Sequence, residues 1–258
     1  MFIDTHAHLN SPDILENIDE ILDRAEKAGI EKIIVPSTNL QTSLEVIELV
    51  QKKEMLYGAV GIHPTELAGY HEKQLYELEQ LASSEKIVAI GEIGLDYYWK
   101  PYDEKLEQYL LKAQMMIAKN HNLPVIIHNR ESSIDLMDII KQEYNNGKLK
   151  GQFHSFSGDM TMADECINMG FYISFTGNIT FKPNERTLTA YEIVKKTPLE
   201  NLLLETDAPF MTPVPFRGKQ NEPAYLKYTA EKIAELKTIP LEELGMITLQ
   251  NAKKLFEI

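Results

Sequence analysis

The chain has 258 residues, 43% hydrophobic and 25% charged, with a single cysteine and a formal net charge of −13. That is the composition of a globular protein able to bury a substantial core, and the acidity excludes a broad basic face for non-specific nucleic-acid binding. It does not exclude nucleic acid as a substrate, because bound divalent metals and a few local cations can reverse the sign inside one cleft.

No apolar run reaches membrane-spanning length. The N-terminus lacks a basic segment followed by a long apolar stretch. With Cys166 alone there is no internal disulfide, and the expectation is a cytoplasmic protein without a membrane partner. Cys166 lies in ADECINMG at a helical spacing typical of plain packing.

Short β-branched runs alternate with amphipathic stretches throughout. FIDTHAHL reads as a strand and Asp13 to Ala28 as a helix, with Ile14, Ile18, Ile21, Leu22 and Ala25 at helical spacing and Gly29 at its end. KIIVPST is the next strand and Thr42 to Lys53 the next helix. YGAVGIHP precedes a helix from Lys73 to Ala82; KIVAIGEIGLD precedes a long one from Asp103 to His121. LPVIIH leads to a helix from Ser133 to Tyr144, and KGQFHSF to one from Thr161 to Met169. GFYISFTG leads to a helix from Arg186 to Lys195. ENLLLETDAP is the last strand, followed by helices over Pro223 to Leu236 and Leu241 to Phe256.

This is about eight βα units without a linker, which predicts a single (β/α)8 TIM barrel over residues 1–258, a better fit to the length than an open doubly wound sheet. The strands are nearly continuous apolar runs, as in a sheet covered by helices on its outer face.

Titratable residues fall at the C-terminal ends of those strands: His8, His63, Glu92, His128, His154 and Asp207. In a barrel these ends surround one mouth, where barrel enzymes carry their active sites. In the first strand Asp4, His6 and His8 share a face. A carboxylate embedded in apolar sequence, such as Glu92 or Asp207, needs cations or donors nearby. Imidazoles and carboxylates together read as a metal site; the bland alternative is a hydrogen-bonded polar plug. The number of candidate ligands exceeds what one metal takes, which points to two divalent ions sharing a bridging carboxylate, with Glu92 as the bridge. The donor set admits zinc, manganese or magnesium. His71 and His121 lie outside the strands and read as surface residues.

These motifs, taken in order, resemble the TatD family of metal-dependent hydrolases within the amidohydrolase-like barrels. DTHAHL, GIHP, GEIGLDYY, PVIIHNRE, FHSFSG, LLLETDAPF and RGKQNEP carry the resemblance over essentially the whole chain. It implies a (β/α)8 barrel, divalent metals and hydrolysis. Family members of known activity are DNases, often exonucleases on single strands, and a related branch removes D-amino acids from mischarged tRNA.

The resulting expectation is a two-metal phosphodiesterase acting on DNA ends. His6, His8 and Asp207 hold one metal, His128 and His154 the other, and Glu92 bridges them. Asp207 takes or steers the proton of the attacking water, and Glu205, on the same strand face, orients that water or a ligand. The alternative for Glu205 is pairing with a core cation. His63, Arg130, Arg217 and Lys219 are assigned to substrate contact, Arg being able to grip phosphate bidentately; solvated loop charges are the alternative for the three cations. Tyr97, Tyr98 and Trp99 either stack on bases or pack against the barrel top. Two rival functions keep the same residues: hydrolysis of another ester or amide, such as D-aminoacyl-tRNA, and a non-enzymatic metal-dependent binding protein. A monomer is compatible with everything above.

Overall fold

The computed structural model describes residues 1–101, 103–146 and 149–258. In chain order the elements are β1 (Phe2–Asp4), α1 (Pro12–Leu15), α2 (Ile18–Lys27), β2 (Ile30–Pro36), α3 (Leu40–Lys52), β3 (Leu56–Val60), α4 (Lys73–Leu81), β4 (Ile87–Asp96) and α5 (Glu104–Asn120). There follow β5 (Val125–Arg130), α6 (Ser133–Asn145), β6 (Gly151–Phe153), α7 (Met160–Asn168), β7 (Tyr172–Phe175), α8 (Glu185–Lys196), β8 (Leu202–Leu204), α9 (Leu226–Lys237) and α10 (Leu241–Phe256). Short 3-10 turns flank β7, β8 and α9. The strands form one sheet ordered β1 through β8, the arrangement of the (β/α)8 barrel that the alternation predicts.

Contacts group the chain into two units, Met1–Val35 with Ser155–Ile258, and Pro36–His154. Within the first, β1 pairs in parallel with β2 and β7 with β8. Thr5 N–H donates to Leu204 O at 3.0 Å, and a parallel bridge joins Ala7 to Ala208, so β1 and β8 are neighbours. Within the second, β3, β4, β5 and β6 pair in parallel in that order. Strand interiors such as Ile33, Ile34, Ile90, Ile93 and Ile127 are buried, which fits sheets covered by helices.

Side-chain caps set several helix starts. Asn39 and Thr42 form a reciprocal capping box at α3, and Asp103, Asp159 and Asn184 accept from the third-residue N–H of α5, α7 and α8. One predicted helix is divided. Over Asp13 to Ala28, α1 stops at Leu15, Asn17 leaves helical geometry (φ −126°, ψ 24°), and α2 restarts at Ile18. Asn17 is a residue that prefers the flank of a helix to its interior, and its carbonyl accepts from Ile21 N–H to open the second helix. Cys166 is buried on α7, in keeping with a packing role. Among the described residues no helix is long and apolar enough to cross a membrane.

Candidate metal-binding clusters

Each unit gathers site residues of its own. In the second unit, Glu92 sits near the middle of β4, where every residue is buried. Its Oε1 stands 2.9 Å from His128 Nδ1 on β5, 3.2 Å from His154 Nε2 just past β6, and 3.5 Å from His63 Nε2 beyond β3. Donor atoms of His63, Glu92 and His128 all lie within 4.8 Å of one another. The rings of His63 and His128 meet edge to face at 4.4 Å, while those of His128 and His154 stack at 6.0 Å.

Close strand approach makes this convergence possible. Gly94 pairs with His128 across β4 and β5. Its φ is +154°, and a Cβ there would lie 2.0 Å from the His128 carbonyl oxygen. Only glycine suits that backbone and that distance.

A second tier of buried polar residues surrounds His128. Asp96, at the end of β4, brings Oδ2 to 3.0 Å from His128 Nε2. Its Oδ1 accepts from Tyr98 N–H at 3.0 Å and Trp99 N–H at 3.2 Å. Burial disfavours the charged forms of both groups, but these bonds outweigh it: Asp96 is held below its ordinary range, and His128 is raised above its own by Asp96 and Glu92. Glu107 on α5 accepts Asp96 N–H at 2.9 Å. Burial, with a contribution from the charge of Asp96, pushes the Glu107 carboxyl up to about 7.

His63 differs from its neighbours. Thr65 N–H donates to His63 Nδ1 at 3.2 Å, with the Thr65 hydroxyl 2.7 Å from the same nitrogen. That places the proton of the neutral ring on Nε2, the nitrogen directed at Glu92, so His63 faces the cluster as a donor.

In the first unit, His6 and His8 lie just beyond the regular part of β1, with their Nε2 atoms 3.1 Å apart. Asp207 Oδ1 is 3.8 Å from the first and 3.7 Å from the second. Asp207 has a left-handed backbone (φ +57°), and its carbonyl accepts Phe210 N–H at 2.7 Å in a tight turn. Glu205 is fully buried and accepts the Ser155 N–H through Oε1. Asp4 anchors the segment. It accepts the N–H groups of His6 and Thr206 and the Thr206 hydroxyl, while burial raises its carboxyl to about 8.

Both groups suit a divalent cation. Two ligands about 2.0–2.1 Å from one ion at a tetrahedral angle stand roughly 3.3 Å apart. The His6–His8 separation of 3.1 Å and the His128–Glu92 and His154–Glu92 separations of 2.9 and 3.2 Å match that bite. Imidazole and carboxylate together are donors for zinc, manganese and related ions.

The residues assigned to substrate are placed as follows. His63 stands against Glu92, as described. The Arg130 guanidinium lies 3.9 Å over the Tyr98 ring and 5.3 Å from that of Trp99, and both rings are exposed. The Tyr97 hydroxyl instead donates to Asp135 at 3.0 Å and accepts from Gln108 at 2.9 Å. Arg217 lies 3.6 Å over Phe181, and Lys219 5.6 Å from the Phe216 ring. Asp96, Glu107 and Asp4 carry site interactions that the sequence reading does not assign. For Asp96 a signal exists, since Glu92, Gly94 and Asp96 alternate along one strand face.

The family model of the TatD-related DNases matches residues 3–257. An uncharacterised metal-dependent hydrolase of Bacillus subtilis, YabD, is 42% identical over the full length of both chains. The crystal structure of YjjV, a TatD homologue from Escherichia coli, superposes with a TM-score of 0.93 at 34% identity, covering 100% of this chain and 98% of that one. A TatD-family hydrolase from Entamoeba histolytica gives a TM-score of 0.85 at 27% identity over 99% and 97% of the two chains.

Proposed function

The chain belongs to the TatD-related DNase family of metal-dependent hydrolases, and from that premise we propose that it hydrolyses phosphodiester bonds at the ends of single-stranded DNA, using divalent ions held by each of the two clusters. The supporting observation is the gathering of three imidazoles around the single oxygen Oε1 of Glu92. A buried carboxylate with His128 and His154 beside it fits a ligand set better than ordinary packing, and His63 adds a donor facing it.

His128, His154 and Glu92 would hold an ion in one cluster, and His6, His8 and Asp207 would hold one in the other. A bound divalent ion supplies Lewis acidity, which makes water a better nucleophile at neutral pH and offsets charge building on the phosphoryl group. The remaining work falls to the side chains. Asp207 has its carboxylate at the mouth of a tight turn and accepts the proton of the attacking water. Glu205, buried behind it in sequence and bonded to Ser155 N–H, orients this segment. His63 directs its Nε2–H at the site and donates to a substrate oxygen. Arg130 pairs with a phosphate while Tyr98 and Trp99 offer ring faces to bases. Arg217 and Lys219 contact phosphates further along the strand.

The test is cleavage of end-labelled single-stranded DNA by purified protein with Mg²⁺, Mn²⁺ or Zn²⁺ added. Stepwise shortening with metal, and none in chelator, is the expected result. Trp99 is the only tryptophan, so its fluorescence should also quench on adding the oligonucleotide in chelator. Intact DNA together with cleavage of D-aminoacyl-tRNA or of a simple ester panel overturns the phosphodiester reading. Absence of any hydrolysis favours a binding protein.

A further inference from the structure

Asp96 is buried and meets three N–H groups with two oxygens: Oδ1 receives Tyr98 and Trp99, and Oδ2 faces His128 Nε2. Both ring nitrogens of His128 face a carboxylate oxygen and a neutral ring carries one proton; Asp96, which only accepts, calls for that proton on Nε2 and competes for it with Glu92 at Nδ1. Its Nδ1 is then bare, and it stands 2.9 Å from Glu92 Oε1, also an acceptor. Two acceptors at that distance repel unless a cation or a proton lies between them. Glu107 fixes the remaining freedom by holding Asp96 N–H at 2.9 Å, and Ser132 ties the adjoining Leu95 carbonyl at 2.9 Å.

We propose that Asp96 is a positioning residue that sets the tautomer of His128, leaving Nδ1 as the lone pair available to a metal, and that it does so from a carboxylate whose other oxygen is fixed by the loop at Tyr98 and Trp99. The proposal rests on the reading of His128 as a metal ligand. It makes a specific demand on the isosteric substitution Asp96→Asn. An amide offers one oxygen and one NH2 group. With its oxygen toward the Tyr98 and Trp99 N–H groups, its NH2 points at His128 Nε2 and requires a bare nitrogen there. The proton then moves to Nδ1, and that nitrogen can no longer ligate. With the amide reversed, two backbone N–H groups face an NH2 group. The first orientation satisfies both backbone N–H groups and places one amide hydrogen on His128 Nε2.

The experiment uses full-length, metal-free protein labelled with ¹⁵N-histidine, with His128 assigned by comparison with His128→Gln and long-range ¹H–¹⁵N spectra recorded on the neutral ring. Wild-type protein should show His128 protonated at Nε2, and Asp96→Asn should show it protonated at Nδ1. Zn²⁺ titration of the same samples should show a loss of about 10–100-fold in affinity for the variant, the range for removing a partner that orients a metal-binding histidine. A His128 proton on Nδ1 in the wild type, or one that stays on Nε2 in Asp96→Asn, overturns the proposal. The wild-type measurement decides even if the variant does not fold. A proton that moves with no change in Zn²⁺ affinity overturns the ligand role of His128 and the second half of the proposal with it, whatever the DNA assay gives.

Discussion

The two clusters are built differently. Glu92 and His128 lie within β4 and β5, Glu92 at the register shift between Ile90 and Ile93 and His128 in the ladder opposite Gly94, with a tier of buried carboxylates behind. His6, His8 and Asp207 lie beyond the regular strands, on chain whose backbone is turned by a left-handed residue and secured by Asp4. In the strand-borne cluster register places His128; the other cluster takes its geometry from side-chain bonds to the backbone. Register is shared by many residues and resists local change, whereas a turn depends on few.

The largest expected effects separate the clusters by function. Asp207→Asn should reduce hydrolysis on the order of 10²–10⁴-fold, the range for losing a proton-transferring group, and Glu92→Gln should reduce it through loss of the ion that this carboxylate would hold. Metal analysis sharpens the contrast: Asp207→Asn should retain the ion at Glu92, and Glu92→Gln should lose it. Retention of full metal content by both variants would mean that neither carboxylate is a ligand.

The next effect is on stability and breaks the strand-borne cluster alone. Gly94→Ala introduces a Cβ 2.0 Å from the His128 carbonyl at a φ of +154°. The strands must separate, at a cost of about 3 kcal/mol. Thermal unfolding should show a lowered midpoint and metal titration a weakened site. An unchanged melting point would show that β4 moves freely past β5.

The smallest effect is a pH dependence from the tier behind His128. Glu107 has a carboxyl raised to about 7 by burial, against an ordinary value of 4.5. A carboxyl raised in the folded state binds its proton more tightly there than when unfolded. It therefore costs nothing below about pH 4.5, costs progressively more as pH rises to 7, and reaches a constant penalty above that. Glu107→Gln keeps an oxygen for Asp96 N–H and removes the charge, so it should raise stability at pH 8 by roughly 2 kcal/mol and leave it unchanged at pH 4. Denaturant unfolding of both proteins across that range checks the sign. A variant less stable at pH 8 contradicts it.

The strand-borne cluster is also the part more plainly written in the sequence. Glu92 and His128 interrupt apolar strand runs, so a carboxylate and an imidazole there stand out. The alternation of elements conveys the fold for the same reason, because each strand is a short apolar run and each helix carries one apolar face. Tertiary geometry hides the rest. LLLETDAP reads as a single strand, yet regular β8 ends at Leu204, because Thr206 bonds to the Asp4 side chain and Asp207 turns left-handed. No local pattern announces either event. Asp96 looks like the polar end of a strand until register places the His128 ring against it. The proton position on His63 depends on Thr65 folding back on Nδ1, which spacing alone does not reveal.

The double grip of Asp96 has a consequence for how this protein can change. One oxygen steadies the segment bearing the exposed rings, and the other faces the His128 ring. If those rings meet the substrate and His128 holds an ion, as proposed, selectivity and chemical competence share a single hinge pin. A swap of the Tyr98–Trp99 stretch that alters its posture then tugs on His128 too, so on the proposed function variants with new preferences survive only where the aspartate and the two amides beside it are kept.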